Sequence, residues 1–172
     1  MSDKSANQSG PVSFGARLAG SQAFSLLFRE GMSLVEETAG YLDGPGRRES
    51  KMLERRAALA YATESMRLTT RLMQLASWLL LHRAVNEGEM SLAQVSKEKA
   101  KVKLSRSDAG DPDTIRLLPE RLRDLIDRSL RLQERVRRLD ATIHSTGTVD
   151  RDGNPVERQV NLLKSVFERD QA

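Results

Sequence analysis

A chain of 172 residues with 38% hydrophobic, 30% charged and only 4% aromatic residues is long enough for one packed domain, yet poorer in apolar residues than a compact globule. It contains no cysteine, which excludes disulfide and thiolate chemistry, and no apolar run near the 18 or so residues that cross a bilayer; "MSDKSANQSG" begins it without the pattern of a signal segment. The balance points to an elongated all-α protein with charged, solvated helix faces, expected in the cytoplasm.

The formal net charge is +4. In "KEKAKVKLSR", residues 97–106, Lys97, Lys99, Lys101, Lys103 and Arg106 stand against the single acid Glu98, so this segment alone carries an excess equal to that of the whole chain. Elsewhere, as in "PERLRDLIDRSLRLQERVRRLD", arginines alternate with acids at three- and four-residue spacing, the mark of a solvated helix face.

Taken in chain order, residues 1–12 read as disordered and residues 13–146 as a three-helix bundle. A first helix over about 22–42 follows Ser21, a good N-cap, and carries Phe24, Leu27, Phe28, Leu34, Val35, Thr38, Tyr41 and Leu42 on one face. Gly31 lies on that stripe. A mid-helix glycine costs about 1 kcal/mol against alanine, so close approach of a neighbouring backbone is its expected reason. "DGPG", residues 43–46, ends the helix: glycine takes the left-handed conformation and proline blocks continuation.

A second helix is predicted without interruption over 47–87, which at 1.5 Å per residue makes a rod of about 60 Å ending at Gly88. Two apolar stripes share it. Met52, Leu59, Met66, Met73 and Leu80 recur every seven residues; Tyr61, Leu68, Leu72, Leu75 and Leu79 form the other. One stripe can face the remaining helices. The second, strongest through "LMQLASWLLLHRAV", calls for a further partner, and a second copy of the chain is the simplest; Leu68, Leu72, Leu75, Trp78 and Leu79 are therefore expected at a homodimer seam.

Residues 88–112 hold the lysine-rich segment and "SDAGDPD", and read as a mobile basic loop in which Lys97, Lys99, Lys101 and Lys103 are available for contact. A third helix over about 119–145 starts at Pro119 and places Leu118, Leu122, Leu125, Leu132, Val136, Leu139 and Ile143 at bundle spacing, with Ser129 interrupting the row. Residues 147–172 read as a flexible tail. In its segment "VERQVNLLKSVFERD", Val156, Val160, Leu163 and Phe167 share a face; Val160, Leu163 and Phe167 suit docking into a partner's groove.

Chemistry is sparse. His82 and His144 are far apart on different helices, and no pair stands at metal-ligand spacing. There is no phosphate-loop or nucleophile-elbow pattern, so no catalytic residue and no cofactor is expected. "DRDGN", residues 150–154, fails as a calcium loop because its glycine comes two positions early and no acid closes the loop. Glu36 and Glu37 diverge by about 100° around a helix, and Glu36 and Asp43 are separated by about 10 Å of rise, so neither pair forms a carboxylate dyad. The stretch "GMSLVEETAGYLDGPGRRES" reads instead as a joint whose Glu36, Glu37, Asp43, Arg47 and Arg48 form a docking end. The alternative class is a basic nucleic-acid-binding protein, suggested by the high isoelectric point and the lysine segment; the small excess and the absence of interleaved aromatic residues weigh against it.

The strings "FREGMSLVEETAGYLDGPGR" and "YATESMRLTTRLMQLASWLLLHRAVNEGEMS" resemble the RcdA family, the regulator of CtrA degradation of alphaproteobacteria. The likeness is strong over residues 13–92 and rests on pattern alone in the third helix. It implies a helical-bundle homodimer without enzymatic activity, concentrated at a cell pole. It also implies an adaptor role: helping deliver a CtrA-like cell-cycle transcription regulator to the ClpXP protease, alongside a single-domain response regulator and a cyclic-di-GMP-binding adaptor.

Overall fold

The computed structural model of the chain describes residues 21–99 and 110–149, with side chains as far as Ile143. Among these residues the fold is all-α, without a strand, and three long helices form its body: α1 (Gln22–Asp43), α3 (Arg55–Asn86) and α6 (Glu120–Val149). Three short helices connect them: α2 (Pro45–Lys51), α4 (Leu92–Lys99) and α5 (Pro112–Ile115).

Ser21 begins α1 from an extended conformation and its hydroxyl accepts from the Phe24 amide at 3.4 Å, satisfying one of the donors a helix start leaves open. At the other end the Gly44 amide closes on the carbonyls of Gly40 and Tyr41; Gly44 stands at φ −110°, not in the left-handed conformation expected of this stop, and Pro45 starts α2 where its missing amide hydrogen costs nothing. Gly46 is buried beneath both tyrosines: a β-carbon there would sit 2.6 Å from Tyr61 Oη and 2.8 Å from the Tyr41 carbonyl oxygen. The Tyr41 hydroxyl donates to Glu49 at 2.7 Å, fastening α2 to the end of α1.

The uninterrupted helix predicted over 47–87 is two helices. The chain leaves helical geometry after Lys51 and re-enters it at Arg55, with Glu54 extended at φ −60°, ψ 157°. Neither proline nor glycine marks the break. The axis of α2 is set by its anchors at the joint, whereas that of α3 is set by packing along its whole length, and Met52–Glu54 absorb the difference. The 32 residues of α3 make a rod of about 48 Å.

Gly88, at φ 75°, closes α3: its amide reaches the Val85 carbonyl and the Glu89 amide the Ala84 carbonyl, the paired bonds of a left-handed helix stop. The segment that follows departs from the mobile loop expected over 88–112. Ser91 and Gln94 cap α4 reciprocally, with Gln94 N to Ser91 Oγ at 3.2 Å and Ser91 N to Gln94 Oε1 at 2.8 Å. Val95 is buried, and Lys99 forms an ion pair with Asp140 of α6. Enough of the segment's few apolar groups reach the bundle to dock a helix.

Helix directions follow from the contacts. Glu37 pairs with Arg128 and Glu30 with Arg135, so α1 and α6 run antiparallel. Arg71 donates to Ser129 and Trp78 to Asp140, both at 2.7 Å, so α3 and α6 run parallel. Parallel neighbours need a crossover the length of the bundle, and residues 87–119 supply it: α4 lies level with Trp78, and Gly110 lies against Glu64 farther down α3. The core between the long helices is built from Leu34 and Tyr41, from Leu68, Leu75, Trp78 and Leu79, and from Leu122, Leu125, Leu132 and Val136. At Gly31 a β-carbon would overlap Leu79 Cδ1, so the close approach is to a core side chain of α3.

A candidate protein-contact surface

The two stripes of α3 have opposite fates. Leu68, Leu72, Leu75, Trp78 and Leu79, expected at a dimer seam, are at most 4% exposed and lie wholly within the chain's own core. α1 and α6 cover that stripe together, so the leucines that seemed surplus to one neighbour are consumed by two. The other stripe is the exposed one: Met52, Leu59, Met66, Met73 and Leu80 are each between 53% and 86% accessible. From Leu59 to Leu80 this row runs about 32 Å along a single helix.

The residues between the row's knobs are small. Ala62 and Thr63, Thr69 and Thr70, and Ala76 and Ser77 fill the positions three and four residues on from Leu59, Met66 and Met73. Three of the hydroxyls are turned inward: Thr63 Oγ1 donates to the Leu59 carbonyl at 3.0 Å, Thr69 Oγ1 to that of Ser65 at 2.8 Å and Ser77 Oγ to that of Met73 at 2.9 Å. Their hydrogen-bonding capacity is spent on their own helix. The face is therefore more apolar than its sequence, with low relief that lets another helix come close.

A strict seven-residue row drifts by about 20° per repeat around a straight helix, and here it passes from one flank of α3 to the other. Leu59 borders a hollow of about 470 Å³ shared with Arg56, Thr63 and Arg67 and with Asp111, Thr114 and Leu117 of the crossover. Met73 borders a narrower groove toward α1. A contiguous apolar strip flanked by hollows of this kind marks a protein-contact site.

The five residues expected to form a docking end do not share one face. Glu36, Asp43, Arg47 and Arg48 are exposed, but Glu37 turns toward α6 and accepts from Arg128 at 2.8 Å, which raises the guanidinium pKa. Of the lysines expected in a free basic loop, Lys97 is exposed and Lys99 is tied to Asp140; Lys101 and Lys103 lie outside the described residues, as do Val160, Leu163 and Phe167.

The polar groups inside the bundle are structural. Arg71, 3% exposed, donates to Ser129, whose hydroxyl donates in turn to the Ile126 carbonyl at 2.6 Å. Burial lowers the Arg71 pKa and the nearby Glu64 carboxylate opposes that shift. His82 is buried with its ring 4.0 Å from that of Trp78, away from the surface. Among the described residues no cluster of three or more histidines or acids stands close enough to hold a metal ion, and no helix is long and apolar enough to cross a membrane.

With the leucine stripe given to a dimer seam, the seven-residue row is expected to face the chain's other helices; it faces outward instead. The signal that marks it as the outer stripe is the small residues beside each knob from Leu59 to Met73, since over Leu68–Leu79 the buried apolar positions are Leu and Trp.

The solved structure of RcdA from Caulobacter crescentus CB15 is 52% identical to this chain; the match covers 77% of this chain and 97% of that one, with a TM-score of 0.61. This chain belongs to the RcdA family. The family model described as a protein of unknown function, DUF1465, matches residues 15–167, so the relationship takes in all six helices of the described residues. No curated protein matches the chain.

Proposed function

We propose that this chain is a non-enzymatic adaptor that helps deliver a CtrA-like cell-cycle transcription regulator to the ClpXP protease by protein–protein contact. The observation that carries the proposal is the exposed seven-residue row of α3, an extended apolar strip with inward-turned hydroxyls on a rigid rod. The resemblance to the RcdA family implies the partners: the protease, a single-domain response regulator, a cyclic-di-GMP-binding adaptor and the substrate. The same row is the surface on which a second copy would pack, replacing the buried leucine stripe as the dimer seam. An adaptor of this kind works in the cytoplasm, gathered where its partners are, and raises the local concentration of substrate; tethering of this sort reaches the millimolar range without any single strong contact.

The test is a reconstituted degradation reaction containing the protease, the response regulator, the cyclic-di-GMP-binding adaptor and a CtrA-like substrate. Adding this chain should accelerate substrate loss, and a Met66→Asp, Met73→Asp double variant that melts like the parent should not. Substrate loss at the same rate with and without the parent chain would end the adaptor reading.

A further inference from the structure

The groove toward α1 has a chemistry of its own. Val35, Ala39 and Leu42 of α1 face Leu72, Met73 and Ala76 of α3 across an open space of about 270 Å³, and α6 contributes nothing to its walls. Thr69, on the α3 side, donates its hydroxyl hydrogen to the Ser65 carbonyl, and beside it only Thr38 and Asp43 bring polar side chains to a lining that is otherwise apolar. The space is smaller than the usual small-molecule pocket and open along its length, which suits the side chains of a docking segment.

Charge around the groove is one-sided. From Thr69 to Leu81 the only charged residue on α3 is Arg71, and it is buried against Ser129 on the opposite side. On α1, Asp43 lines the groove and Glu36 stands one step around the helix from Val35; both are exposed, and neither makes a salt bridge among the described residues. Arg29, seven residues before Glu36, and Arg47 on α2 bound this acidic portion, which spans about 10 Å along the helix. In a chain of net charge +4, the edge of its apolar groove is negative.

We propose that this groove binds a basic amphipathic helix of a partner protein, with its apolar residues seated between α1 and α3 and two cations about seven residues apart set against Glu36 and Asp43. Both walls are helices whose backbone groups are already bonded, so an extended strand would find no edge to pair with, whereas a helix brings a satisfied backbone and offers only side chains. The inference deepens the adaptor reading and rests on it for its purpose. Its test uses the full chain and peptides alone, so failure here would remove the groove's occupant and leave the degradation result standing.

The probe is a fluorescein-labelled 14-residue helical peptide with leucines at i, i+4 and i+7 and lysines seven apart on the adjoining positions; its sibling carries glutamates in place of those lysines. By fluorescence anisotropy the lysine peptide should bind about tenfold more tightly than the glutamate peptide, a preference that shrinks as salt rises. A Glu36→Lys, Asp43→Lys variant should reverse the preference, and Ala39→Arg, at an exposed position, should weaken both peptides about tenfold without changing the helical circular dichroism. Equal binding of the two peptides, or lysine-peptide binding unaffected by Ala39→Arg, would overturn the proposal. So would a loss of self-association in Ala39→Arg with peptide binding unchanged, because it would assign the groove to a second copy of the chain.

Discussion

The assignment of the two α3 stripes is tested by comparing Leu68→Ala with Met66→Ala, two residues apart on one helix. Leu68 has no exposed surface, whereas Met66 is 72% accessible. Truncating a fully buried leucine removes its transfer free energy and leaves a cavity, a loss of about 2–5 kcal/mol; truncating a side chain already in water stays within about 0.5 kcal/mol. Against a total stability on the order of 5–15 kcal/mol the first change is large. With about 2–4 °C of melting temperature per kcal/mol for a chain of this size, Leu68→Ala should melt roughly 4–20 °C below the parent and Met66→Ala within about 2 °C of it. Thermal melts by far-ultraviolet circular dichroism, run at low micromolar concentration so that self-association adds little, read both shifts directly. A Met66→Ala loss equal to that of Leu68→Ala would refute the assignment of the methionine row to the outer face.

Other outcomes follow from single contacts. Gly31→Ala and Gly40→Ala should change stability in opposite directions: the first drives a β-carbon into Leu79, where overpacking of about 1–3 kcal/mol outweighs the helix-propensity gain, while the second meets nothing within 4 Å and keeps a gain of about 0.5–1 kcal/mol, both measured by urea denaturation. Lys99→Ala should release α4 from Asp140, which also accepts from Trp78 Nε1, so the emission of the single tryptophan should move to longer wavelength with the helical signal preserved. The phenol pKa values of Tyr41 and Tyr61 are both raised, first by burial and, for Tyr41, next by the hydrogen bond it donates to Glu49. Because the folded values lie above the unfolded value near 10, the protonated phenols contribute their full stability below about pH 10 and lose it as pH climbs from there through the folded values. At about pH 10.5 the folded chain should show less phenolate absorbance at 295 nm than the urea-unfolded chain, which is more than half ionised; equal ionisation of the two would contradict the burial argument.

Those features of the fold that depend on a few neighbouring residues were readable from the sequence. Ser21 as a cap, the stop at "DGPG" and the end of α3 at Gly88 are local chemistry, and the all-α class and the family follow from the same strings. What needed the third dimension was the choice between stripes. Met52, Leu59, Met66, Met73 and Leu80 are regular enough to be core, and Leu68, Leu72, Leu75 and Leu79 seem too many for one neighbour; only the presence of both α1 and α6 on the same side decides the matter. The break at Met52–Glu54 has no residue to announce it, because it results from anchors at Tyr41, Gly46 and Glu49 rather than from the residues that break. Docking of α4 had a readable sign in Ser91 and Gln94, a capping pair overshadowed by the lysines that follow.

The parallel course of α3 and α6 also gives the rod a polarity. Phe24, Trp78 and Asp140 lie at one end, so α1 begins and α6 ends on the same side, while the joint at Gly44–Gly46 closes the other, the α1 length of about 33 Å away. In a chain without cysteine, a dye on a single cysteine placed at exposed Gln22 or Ala141 would report on that shared end, and one placed at exposed Arg47 on the joint.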